Sequence, residues 1–117
     1  MKKLFSFLLV GVLFLTACGK GYETIDSNKA MELINNDAIV IDVRTLEEYN
    51  EGHIEGSINI VADNISSVIY EKDSEIIVYC ASGMRSSKAA EELINMGYTN
   101  VYNLDGGLIN WGFDLVD

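Results

Sequence analysis

Five short apolar runs alternate with stretches of helical spacing between Tyr22 and the C-terminus, and this rhythm constrains the fold more than any other feature. Extended runs are read at residues 23–25, 38–43, 57–61, 75–79 and 101–104. Ser27 reads as the N-cap of a helix over residues 28–36, with Ala30, Met31 and Ile34 on one face. Thr45 followed by Glu48 is a capping-box pattern that opens a short helix, and Gly52 ends it. Residues 64–70 also read as helical. Residues 86–96 carry Ala89, Ala90, Leu93 and Ile94 at helical spacing, with Gly97 as the stop. Gly106 and Gly107 then turn the chain into a last short helix near Trp111. Strands that alternate with helices pair in parallel, and a parallel sheet is covered on both faces. The expected architecture is a single α/β domain over residues 22–117, a mostly parallel central sheet flanked by helices on both faces.

Residues 1–17 are set apart from that fold. Lys2 and Lys3 give a basic start, and residues 4–15 form an apolar stretch too short to span a bilayer but long enough for a signal-peptide core. The stretch ends in Leu15-Thr16-Ala17-Cys18, which resembles a bacterial lipobox. That resemblance implies cleavage before Cys18 and lipid on its sulfur; an ordinary secretory signal is the alternative. Residues 18–21 then form a tether of at most about 14 Å. The expected location is the extracytoplasmic face of the cell membrane, held by the lipid anchor.

Lipid on Cys18 would leave Cys80 without a disulfide partner in the chain. Cys80 ends the apolar run Ile76-Ile77-Val78-Tyr79 and opens Cys80-Ala81-Ser82-Gly83-Met84-Arg85, directly before a helical pattern. In parallel α/β sheets ligands bind at the carboxyl ends of strands, where Cys80 falls. A short loop closing before a helix turns amide N–H groups inward, and Gly83 permits the curvature. Those donors, the helix dipole and Arg85 would all favour a thiolate. A small cysteine buried at a strand end is the plainer reading of the same position.

Across these residues a family comes into view. Cys80-Ala81-Ser82-Gly83-Met84-Arg85-Ser86 resembles the active-site loop of single-domain rhodanese-like sulfurtransferases. Asp42-Val43-Arg44, Glu48-Tyr49, Gly52-His53-Ile54, Gly56 and Asn59-Ile60 are similar to that family's upstream block. Gly97-Tyr98, residues 101–104, Gly106-Gly107 and Trp111 are similar to a third. The likeness runs through residues 22–115 in order.

The resemblance implies that Cys80 is a nucleophile attacking the sulfane sulfur of a small sulfur-containing anion such as thiosulfate. The resulting persulfide would be cradled by amides of residues 81–85, and a thiol or other thiophilic acceptor would remove the outer sulfur. Ala81, Ser82, Gly83, Met84 and Arg85 are then the substrate-binding residues. Neither metal nor organic cofactor is implied, and a monomer is expected. A persulfide carrier or partner-binding module without turnover would use the same loop. Phosphatases and arsenate reductases also place a cysteine in a loop that ends in arginine, but with five intervening residues; here there are four, and Tyr79 precedes the cysteine.

The net charge of −10 argues against nucleic-acid partners and makes local cationic help near Cys80 necessary for an anionic donor. Arg85 would supply it, with Lys88 one helical turn along. Asp42 and Arg44 read as a structural ion pair or a loop hydrogen bond, and His53, the sole histidine, as a ring hydrogen-bonded to backbone. Glu47, Glu48, Glu51 and Glu55 read as a solvated face with one helix cap, and Trp111 as core or a lid. Metabolic labelling with a palmitate analogue should mark the wild-type chain and fail on Cys18→Ala; equal labelling of both refutes the lipidation site.

Overall fold

The computed structural model describes residues 21–117. Strand β1 (Glu23–Ile25) leads into helix α1 (Ser27–Asn35), β2 (Ile39–Asp42) into α2 (Leu46–Glu51), and β3 (Ile58–Asn59) into a 3-10 helix at Ala62–Ser67. Strand β4 (Glu75–Tyr79) leads into α3 (Met84–Asn95), and β5 (Asn100–Leu104) into a second 3-10 helix at Gly107–Asn110. These strands form one sheet in the order β1-β5-β4-β2-β3, and every pairing is parallel. The leader over residues 1–17 and Cys18 lie outside the described residues.

Strand β4 sits mid-sheet with β2 and β5 on its two sides. Its side chains alternate between two apolar layers. Ile76, Val78 and Cys80 join a cluster with Ile41, Ile65, Ala89 and Leu93, whereas Ile77 and Tyr79 join Ile25, Leu33, Val40 and Leu104. Both faces are covered, so the strand reads as a continuous apolar run with no polar alternation. The same two-residue period carries Cys80 onto the side packed by α3.

The element boundaries differ from the sequence reading where small polar residues compete. Asp26, not Ser27, caps α1: it is extended, and its Oδ1 accepts a 2.9 Å hydrogen bond from the Lys29 amide. Ser27 Oγ instead donates to the Asn110 carbonyl and accepts from the Gly112 amide, each at 3.1 Å, tying the C-terminal segment to α1. Helix α3 begins at Met84, earlier than expected, because Gly83 adopts φ 101° and takes the N-cap position. The helix expected over residues 64–70 is the 3-10 turn at Ala62–Ser67, and β3 is shorter than expected. The Thr45 capping box is present with both of its hydrogen bonds.

A buried ion pair fixes the loops beside the end of β4. Asp42 is 0% and Arg44 7% exposed. Arg44 Nη2 donates to Asp42 Oδ2 at 2.7 Å and to the Gly52 carbonyl at 2.7 Å, and Arg44 Nε donates to both Asp42 oxygens. Asn59 Nδ2 donates to the Asp42 and Arg44 carbonyls, so one knot joins β2, the end of α2 and β3. Truncating Arg44 would leave a carboxylate buried without its cation. Arg44→Ala should therefore destabilise the fold by about 3–5 kcal/mol in chemical denaturation; a loss below about 1 kcal/mol would show that the pair is not structural.

Candidate active site

Cys80 is 1% exposed, and its sulfur lies at the floor of the loop between β4 and α3. The Gly83 amide donates to Sγ at 3.1 Å. The Ser86 amide and hydroxyl each donate to it at 3.4 Å. Burial pushes the thiol pKa up, but the Ser86 hydroxyl and the amides of Ser86, Gly83 and Ser82 outweigh it and hold the thiol below its ordinary value. The hydrogen bonds thus favour the thiolate although the residue is buried.

The loop is turned inside out by the second 3-10 helix. The amides of Leu108 and Ile109 donate to the carbonyls of Cys80 and Ala81 at 3.0 and 3.1 Å. A trans peptide points its carbonyl and its N–H in opposite directions, so carbonyls drawn outward leave the amides of Ala81 and Ser82 facing inward. This approach is so close that a side chain at Gly107 would collide with the Cys80 carbonyl, and Gly107 also holds φ 57°. The paired glycines Gly106 and Gly107 are therefore part of the site although they lie far from Cys80 in sequence.

The expected loop residues fall in different places. Ala81 and Ser82 contribute backbone, and Gly83 supplies both the turn and the shortest donor to sulfur. Met84 and Arg85 belong to the first turn of α3, and the Met84 side chain is 73% exposed. Arg85 has a partner the sequence reading does not include: its guanidinium is held by Glu48, Nη1 to Oε1 at 2.9 Å and Nη2 to Oε2 at 3.1 Å. The Arg85 hydrogen bonds, then that of the Thr45 amide, pull the Glu48 pKa down to about 2.

Two residues that bear on the loop have no role there in the sequence reading. Ser86 stood inside the quoted motif without a role. The first helical turn points side chains back toward the N-terminus, a signal that could have placed its hydroxyl on the sulfur. Glu48 reads from the sequence as the cap within a solvated group, and no local pattern links it to Arg85 across α2 and α3. Lys88 lines a cleft with Arg85, Asp63 and Glu92, without a contact to the sulfur.

The bland readings agree with the geometry. Asp42 and Arg44 form the buried pair described above. His53 Nδ1 lies 2.8 Å from the Tyr49 carbonyl, and its ring stacks on Tyr49 at 3.7 Å. Trp111 is partly buried against the core layer beside Ile25 and Leu104. Among the described residues no three His, Cys, Asp or Glu side chains converge as metal ligands.

Comparison with known proteins agrees with this geometry. The rhodanese-like domain family matches residues 26–113. The chain is 35% identical over 112 residues to the uncharacterised protein YibN of Escherichia coli, covering 89% of this chain and 78% of that one. It is 37% identical over 93 residues to the thiosulfate sulfurtransferase GlpE of Pseudoalteromonas translucida, covering 77% of this chain and 89% of that one. Among solved structures, a rhodanese-related protein of Thermoplasma volcanium superposes with a TM-score of 0.73 at 33% identity, over 81% of this chain and 98% of that one. The match spans strands β2 to β5, the cysteine loop and the clamping glycines: the chain belongs to the rhodanese-like domain family.

Proposed function

We propose that this protein is a sulfurtransferase that carries sulfane sulfur as a persulfide on Cys80. The observation that carries the reading is the sulfur itself, buried yet met by the Gly83 and Ser86 donors. The Cys80 thiolate attacks the outer sulfur of a donor, forming a new S–S bond while the donor's own S–S bond breaks. With thiosulfate the leaving group is sulfite, which departs with the bonding electron pair. The loop amides then face the terminal persulfide sulfur. A thiol or other thiophilic acceptor takes that sulfur and returns the Cys80 thiolate, a double displacement with no separate general base.

The lipobox-like segment supports an extracytoplasmic protein anchored through Cys18 close to the membrane. A second reading, a carrier that accepts sulfur without turning over small donors, is favoured by one observation. Arg85, the cation nearest in sequence to the loop, is already engaged by Glu48.

The full chain should form thiocyanate from thiosulfate and cyanide, and Cys80→Ala should fall to the uncatalysed background. Turnover surviving that substitution contradicts the role of Cys80. Ser86→Ala removes a donor that favours the thiolate, so the thiol pKa rises and less thiolate is present at neutral pH. Loss of about 1.5 kcal/mol of stabilisation slows sulfur uptake roughly tenfold there. The deficit should shrink as the pH is raised past the thiol pKa, and a deficit constant with pH would assign Ser86 a different role.

A further inference from the structure

Glu48 is held rigidly before Arg85 reaches it. The Thr45 amide and hydroxyl donate to its Oε1 at 3.0 and 3.1 Å, and α2 is anchored by the Arg44 hydrogen bond to the Gly52 carbonyl. Arg85 then docks on a fixed carboxylate through two parallel hydrogen bonds, the geometry that guanidinium favours. The two side chains remain 42% and 34% exposed, and the Arg85 guanidinium is within electrostatic reach of the Cys80 sulfur.

The surrounding charges do not restore the lost cation. Arg85 and Asp63 line two adjoining clefts, and Lys88 and Glu92 complete the second. With Glu48 included, two cations face three carboxylates. A donor such as thiosulfate brings two negative charges to a thiolate and releases a dianion, so it has the greatest need of a free guanidinium. An alkyl persulfide, R–S–S⁻, brings one charge and none when protonated. Its transfer balances without a dianion: the Cys80 thiolate bonds to the outer sulfur, the donor's S–S bond breaks, and the thiolate R–S⁻ leaves with the bonding pair.

We propose that Glu48 is a charge filter, which by engaging Arg85 makes the Cys80 site select alkyl persulfides over dianionic donors such as thiosulfate. The inference rests on the sulfur-transfer reading and names its donor class. Glu48 is ionised throughout the physiological range, so the filter is permanent and does not switch with pH.

The test uses the full chain and follows the initial rate at which the peptide carrying Cys80 gains one sulfur. Donors are thiosulfate and the persulfide of 2-mercaptoethanol. Glu48→Gln keeps an oxygen for the Thr45 amide but removes the charge. It should raise the thiosulfate rate about fivefold and change the persulfide rate less than about twofold. Adding Arg85→Gln to that variant should abolish the gain. A thiosulfate rate that falls or stays unchanged in Glu48→Gln, or an equal rise for both donors, overturns the filter alone. If neither donor loads wild-type Cys80, the sulfur-transfer reading fails and the filter with it. Wild-type protein supplies an arm that needs no variant. Inert sulfate at constant ionic strength should leave persulfide loading unchanged, and half-inhibition below about 1 mM would overturn the proposal.

Discussion

The set of donors on the Cys80 sulfur is the interaction on which the rest of the molecule depends. A cysteine 1% exposed would ordinarily keep its proton, because burial disfavours the thiolate. Donors from Gly83 and Ser86 more than offset that penalty and lower the thiol pKa, and each needs a different part of the fold. The Gly83 amide is aimed by a left-handed turn, the Ser86 groups by the first turn of α3, and the inward amides by carbonyls held from the second 3-10 helix. Moving β4, α3 or Gly107 would misplace at least one of them.

A second layer keeps that arrangement rigid from the opposite side. The Asp42–Arg44 pair ties β2 to α2 and β3, and the Val43 amide donates to the Tyr79 carbonyl one residue before Cys80. The Tyr79 hydroxyl accepts from the Ile54 amide, joining the end of β4 to the same loops. Buried ion pairs offset their desolvation poorly, so their value here is geometric: they define where strand ends sit. The same scaffold positions Glu48, and so the charge that meets a donor at Arg85.

Much of this was legible in the sequence because it is local. The run at residues 75–79 ends where β4 ends, Thr45 with Glu48 forms the capping box, and the lone histidine bonds to backbone as its turn position suggested. What was not legible is set by competition or by distance. Asp26 and Ser27 are both good caps, and only the tertiary contact of Ser27 with Asn110 decides between them. Arg85 is close to Cys80 in sequence, but its pairing with a carboxylate from another helix has no local signal. Ser86 needed the helix phase fixed by Gly83 before its hydroxyl could be placed, and the Gly107 clamp needed the fold itself.

The central claim is that Cys80 stores sulfur reversibly, and mass spectrometry of its peptide tests it most directly. After a sulfane donor the peptide should gain one sulfur, about 32 Da, and lose it again when cyanide is added. No gain with either thiosulfate or an alkyl persulfide, or a gain that cyanide cannot remove, would contradict the account.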